Sequence, residues 1–93
     1  MATKAEKLHM SRVAALGCRV CSNEFGLHSE PELHHIGNGT MGKRASNYEV
    51  IPLCFLHHRG GGIGASVHAG RKSFESNFGT ERELLAKTLE LLR

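Results

Sequence analysis

Glu32-Leu33-His34-His35-Ile36, then Asn47, then Leu53-Cys54-Phe55-Leu56-His57-His58 is the stretch on which the reading of this chain turns. Two histidine pairs flank a single asparagine, and the first pair sits in a short apolar-edged segment that reads as a strand. Successive side chains of a strand point to opposite faces, so His34 and His35 cannot both face one metal ion. One of them is free for another task. The second pair falls where a helix is expected to begin, and neighbours on a helix diverge by about 100°. His57 and His58 can therefore serve two different metal ions.

Outward from this stretch, every cysteine in the chain falls into a metal-type knuckle. Cys18-Arg19-Val20-Cys21 presents two thiolates from one turn, and Cys54-x-x-His57 presents a thiolate and an imidazole from another. Four such donors close a tetrahedral zinc site. Cys18, Cys21, Cys54 and His57 are the expected structural zinc set, with His28 as an alternative fourth ligand. The zinc would tie the first knuckle to the end of the second strand across more than thirty residues.

A chain of 93 residues makes one domain, and at that size a core leaves little surplus over chain entropy without a staple. A structural metal supplies one. Three cysteines cannot pair off completely and no apolar leader begins the chain, so the expected setting is a reducing cytoplasm. The longest apolar run, Val50 to Leu56, is far short of the ~20 residues that cross a bilayer, so no membrane is expected. Twelve Lys and Arg against nine Glu give a net charge of +3, too weak by itself to name a partner. Between Gly37 and Lys72, however, Lys43, Arg44, Arg59, Arg71 and Lys72 face only Glu49, a local +4 around the histidines. A polyanion could dock there, with arginines engaging phosphate bidentately.

Residues 2–16 read as a helix that Thr3 and Glu6 cap as a capping box, with Leu8, Val13 and Leu16 on its apolar face. Residues 18–22 read as a knuckle turn and 23–31 as an irregular link. Strands are expected at 32–36 and 48–53, joined by a glycine-containing loop, with Pro52 marking an edge or turn. A helix should start near Cys54 and stop at Gly60-Gly61-Gly62, and this Gly-rich segment could approach a phosphate backbone. A further helix is expected from Ser66 or Gly70 through Asn77. Thr80 and Glu83 form a second capping box, opening a last helix striped by Leu84, Leu85, Leu89, Leu91 and Leu92.

The order His-His, Asn, His resembles the HNH nucleases. The downstream sequence is similar to the phage recombination-enhancement, RecA-dependent nuclease family, an HNH branch. The residues that carry this likeness run from Ile51-Pro52-Leu53-Cys54 through His57-His58-Arg59-Gly60 and Ser66-Val67-His68-Ala69-Gly70-Arg71-Lys72 to Phe74-Glu75 and Phe78-Gly79. It covers roughly Gly17 to Leu85. The implied fold is α+β: a small zinc-stapled ββα-metal, treble-clef-like domain with its core at about 17–79 and flanking helices at about 3–16 and 81–92.

The resemblance makes His34, His58 and His68 ligands of a catalytic divalent ion, which zinc, magnesium, manganese or nickel could provide. It makes His35 the general base and Asn47 the residue that keeps that base aimed. His68 follows His58 by ten positions, where relatives place the third ligand about one helical turn on. The implied function is hydrolysis of DNA phosphodiester bonds to 5′-phosphate and 3′-hydroxyl ends, in phage recombination or DNA processing, with RecA or a phage protein as partner. Relatives carry a long basic amino-terminal arm, whereas seventeen residues precede the first knuckle here, with Lys4, Lys7 and Arg12 as their cations. A non-catalytic zinc module that binds nucleic acid or protein is the alternative; it needs the knuckles and the basic loop but neither His35 nor Asn47.

Overall fold

The computed structural model describes residues 2–36 and 46–93. Helix α1, Lys4–Ala15, begins at Thr3, whose hydroxyl accepts the Glu6 N–H while the Glu6 carboxylate accepts the Thr3 N–H. Of the three residues expected on its apolar face, Val13 is fully buried whereas Leu8 is largely exposed. Helix α2, Arg19–Phe25, replaces the expected knuckle turn and irregular link. Its polar sequence hides the helix from a pattern reading, but burial of Val20 and Cys21 outweighs local propensity. The Cys18 thiol also serves as its amino-terminal cap, accepting from the Cys21 N–H at 3.5 Å.

Strands β1, Glu32–His35, and β2, Val50–Leu53, form a two-stranded antiparallel sheet. The register sets His34 opposite Ile51 and His35 opposite Val50. Every residue of β2 is buried, because α1, α2 and α4 all pack against it. Pro52 is fully buried opposite Leu33; a two-stranded sheet leaves each strand one unpaired edge, which accommodates the missing N–H. Instead of the helix expected from Cys54, a five-residue π-helical turn occupies Leu56–Gly60. Short π-helical segments are rare and cluster at functional sites.

Helix α3, Arg71–Phe78, and helix α4, Glu81–Leu91, complete the described chain, with the Thr80–Glu83 capping box at the start of α4. Leu84, Leu85 and Thr88 form the buried face of α4, and Leu89 and Leu91 lie at the surface. Phe74, Ile51 and Leu53 are the largest fully buried apolar side chains, and the core cluster they belong to includes Cys18 and Cys21. The thiols are thus built into the core. No helix among the described residues is long and apolar enough to cross a membrane.

Candidate metal centres and active site

Two groups of side chains converge. The first is Cys18, Cys21, Cys54 and His57, whose donor atoms all lie within 4.8 Å of one another. Cys21 Sγ is 3.8 Å from Cys54 Sγ. His57 Nδ1 is 3.7 Å from Cys18 Sγ, 3.6 Å from Cys21 Sγ and 3.2 Å from Cys54 Sγ. With bonds of about 2.3 Å to sulfur and about 2.0 Å to nitrogen, a regular zinc tetrahedron has edges of about 3.8 Å between sulfurs and about 3.5 Å between sulfur and nitrogen. The cluster fits that ion and could hold it. Burial pushes the Cys18 thiol up to about 11, a penalty on the thiolate that a divalent cation among the four donors would offset. Burial also lowers the pKa of His57, favouring the neutral ring that ligates. His28 takes no part: its Nε2 lies 3.3 Å from the Ala15 carbonyl oxygen.

The second group is His34, His58 and His68, whose donors also fall within 4.8 Å of one another. The three rings stand at centroid distances of 5.1, 4.9 and 4.7 Å. His58 Nε2 and His68 Nε2 are 3.0 Å apart, a contact that needs a proton or a cation between the lone pairs. It compares with an edge of about 3.3 Å in a tetrahedron of nitrogen ligands.

Local backbone explains how His68 arrives ten positions after His58. The Gly-rich segment folds back so that Val67 N–H donates to the His57 carbonyl at 3.0 Å and His68 N–H to the His58 carbonyl at 3.1 Å. Ser66 Oγ locks the turn, donating to the Leu56 carbonyl and accepting from the Gly61 N–H, each at 2.5 Å. A Cβ on Gly61 would stand 2.5 Å from the Leu56 carbonyl oxygen, so the tight approach needs glycine. The Gly-rich segment also shapes the return of His68 to His58.

Two carboxylates that the sequence reading passed over orient these rings. His58 Nδ1–H donates to Glu32 Oε1 at 2.8 Å, and Arg59 clamps both oxygens of Glu32 at 3.0 and 2.7 Å. The Arg59 and His58 contacts pull the Glu32 carboxyl down to about 2, so it stays an acceptor. His34 donates Nε2–H to Glu81 Oε2 at 2.5 Å. Burial is the largest influence on His34 and lowers its pKa, outweighing the opposite pull of Glu81. With Nε2–H turned to Glu81, the neutral ring has its lone pair on Nδ1. Carboxylate–histidine pairs of this kind fix the tautomer and orientation of metal-binding imidazoles. Glu32 was accessible to a period-two reading, since it shares a strand face with His34. Glu81, forty-seven positions from its partner, left no such signal.

The two neighbours in β1 part company. His34 is buried and joins His58 and His68, whereas His35 is exposed and its Nε2 meets Asn47 Oδ1 at 2.8 Å. Among the cationic residues, Arg59 is committed to Glu32 and Arg71 lies 3.8 Å from Glu81. Lys72 lines an open cleft of about 430 Å³ along α3 with Ser73, Ser76 and Asn77. Lys43 and Arg44 lie outside the described residues.

Fold and site together define a small α+β protein with two separate sets of metal-type ligands, one thiolate-rich and one all-imidazole. The family model for recombination enhancement, RecA-dependent nucleases matches residues 2–93. The chain belongs to that family, which implies a nuclease role in recombination, a nucleic-acid substrate and a link to RecA. No curated protein matches it.

Proposed function

We propose that this protein is a metal-dependent DNA endonuclease of the HNH type, with Cys18, Cys21, Cys54 and His57 holding a structural zinc and His34, His58 and His68 holding a catalytic divalent ion. The observation that carries this reading is the division of labour in β1: His34 turns inward to the imidazole cluster while His35 turns outward and is held by Asn47. The order strand, strand, ligand-bearing turn supports a ββα-metal reading, with a π-helical turn standing where that arrangement has its helix.

His35 accepts a proton from a water aligned behind the scissile phosphorus. The water oxygen bonds to phosphorus, the bond to the 3′-oxygen breaks with its electron pair going to that oxygen, and the oxygen takes a proton from solvent water to become the 3′-hydroxyl, with the phosphate retained on the 5′ end. A divalent ion bound by the three imidazoles would supply Lewis-acid stabilisation of the charge growing on phosphate. Asn47 holds the base ring in line. Arg71 and Lys72, with Lys43 and Arg44, are the proposed phosphate contacts. Arg59 acts instead on Glu32 and so on the orientation of His58.

Nicking of supercoiled plasmid by the zinc-replete protein with added Mg²⁺ or Mn²⁺ tests the reading. His35→Ala, with its circular dichroism and metal content unchanged, is expected to lose activity by about 10²-fold or more, the usual contribution of a positioned base. A variant that nicks as fast as the parent refutes the base assignment. The nuclease reading as a whole fails if the parent cuts no DNA, naked or RecA-coated.

A further inference from the structure

Glu6 sits in the first turn of α1, and its carboxylate makes two contacts. Oε1 accepts the Thr3 N–H at 2.7 Å, while the Glu6 N–H donates to Thr3 Oγ1 at 3.1 Å, which closes the cap of the helix. Oε2 accepts from Asn47 Nδ2 at 3.3 Å, from a residue forty-one positions away. Hydrogen bonds from Thr3 hold the Glu6 carboxyl below its ordinary range, so it is ionised and has no proton to give. Only the NH₂ end of the Asn47 amide can face it. The carbonyl end is thereby turned to His35 Nε2, at 2.8 Å. That oxygen is an acceptor too, so Nε2 must be an N–H, and in the neutral imidazole the lone pair is then on Nδ1.

We propose that Glu6 is a positioning residue for the base: it sets the orientation of the Asn47 amide and, through it, the tautomer of His35 that offers Nδ1 to the attacking water. Its catalytic consequence rests on the nuclease reading above, whereas the tautomer does not. The helix α1 is then part of the site's machinery as well as a flank of the core.

A charge-neutral swap separates this role from capping. Gln is accepted at this position of a capping box, so Glu6→Gln keeps α1 closed. Its side chain must then present oxygen to the Thr3 N–H and NH₂ to Asn47. Two NH₂ groups cannot pair, so Asn47 turns over, donates to His35 Nε2 and drives the proton to Nδ1. In the double variant Glu6→Gln/Asn47→Asp, donor and acceptor are exchanged across the contact between positions 6 and 47, and position 47 again accepts from His35 Nε2.

Imidazole ¹⁵N spectra of the zinc-loaded full chain read the tautomer directly, and single-turnover plasmid nicking reads the consequence. The parent is expected to show the Nε2–H form at His35. Glu6→Gln should shift it to Nδ1–H and slow nicking by about tenfold or more, and the double variant should restore the Nε2–H form. A His35 tautomer unchanged in Glu6→Gln overturns the proposal, as does a double variant that fails to restore it. If the tautomer responds as stated and the parent cuts no DNA, the relay stands and the nuclease reading falls.

Discussion

At the scale of single residues, the site is governed by which nitrogen of each histidine keeps its proton. Glu32 and Glu81 each take an N–H from a ring of the three-histidine cluster, and in the proposed site the opposite nitrogen binds the metal. Glu32 is the better probe because its carboxylate also holds Arg59. Glu32→Gln keeps the shape and removes the charge. Loss of such an outer carboxylate typically costs about 10–100-fold in metal affinity. Competition against a chelator should therefore show the three-histidine site weakened by that factor, with the Cys18, Cys21, Cys54 and His57 site unchanged. Equal weakening at both sites would mean that the substitution acts on the fold.

At the scale of elements, the return from the π-helical turn to His68 has the least slack. Ser66 Oγ binds both the Gly61 N–H and the Leu56 carbonyl, and a methyl group at Gly61 would meet that carbonyl oxygen. Gly61→Ala should push the segment outward and separate His68 from His58. The expected result is loss of one bound ion per chain with the thiolate-rich site still filled, measured by metal analysis after gel filtration. Two ions retained at parental affinity would show that the turn has room to relax. The short β1–β2 ribbon is held differently. Two strands alone are marginal in water, and β2 is kept in place by the three helices packed on it and by the Cys54 thiol that follows it.

At the scale of the whole molecule, the proposed structural zinc would make stability and metal content one property. The core includes Cys18 and Cys21, so with no ion among them it contains thiols facing an imidazole across 3.7 and 3.6 Å. In a domain this small, metal binding free energy is folding free energy. Verified zinc removal by a strong chelator should collapse the far-ultraviolet circular dichroism signal, and re-addition of zinc should restore it. An unchanged spectrum in the metal-free protein would argue against a structural ion. Purified protein should contain about one tightly held zinc per chain and a second, exchangeable ion, in keeping with one closed and one open site. The family's link to RecA is tested by comparing naked duplex with RecA-coated DNA. Cutting confined to the coated substrate is expected if the dependence extends to this chain, and efficient digestion of naked duplex would dismiss it.

The knuckle pairs, the helix caps and the opposite faces of His34 and His35 were all legible in the sequence, because each depends on residues one to four positions apart, whose geometry the backbone period dictates. Helix α2 was not, since tertiary burial of Val20 and Cys21 decides it against its polar neighbours. The carboxylates on the ligand rings, the commitment of Arg59 to Glu32 and the contact of Glu6 with Asn47 join residues twenty-six to forty-seven positions apart. Apart from the strand face that Glu32 shares with His34, such pairs have no period to betray them. Only the packing of α1 and α4 against the sheet brings Glu6 to Asn47 and Glu81 to His34.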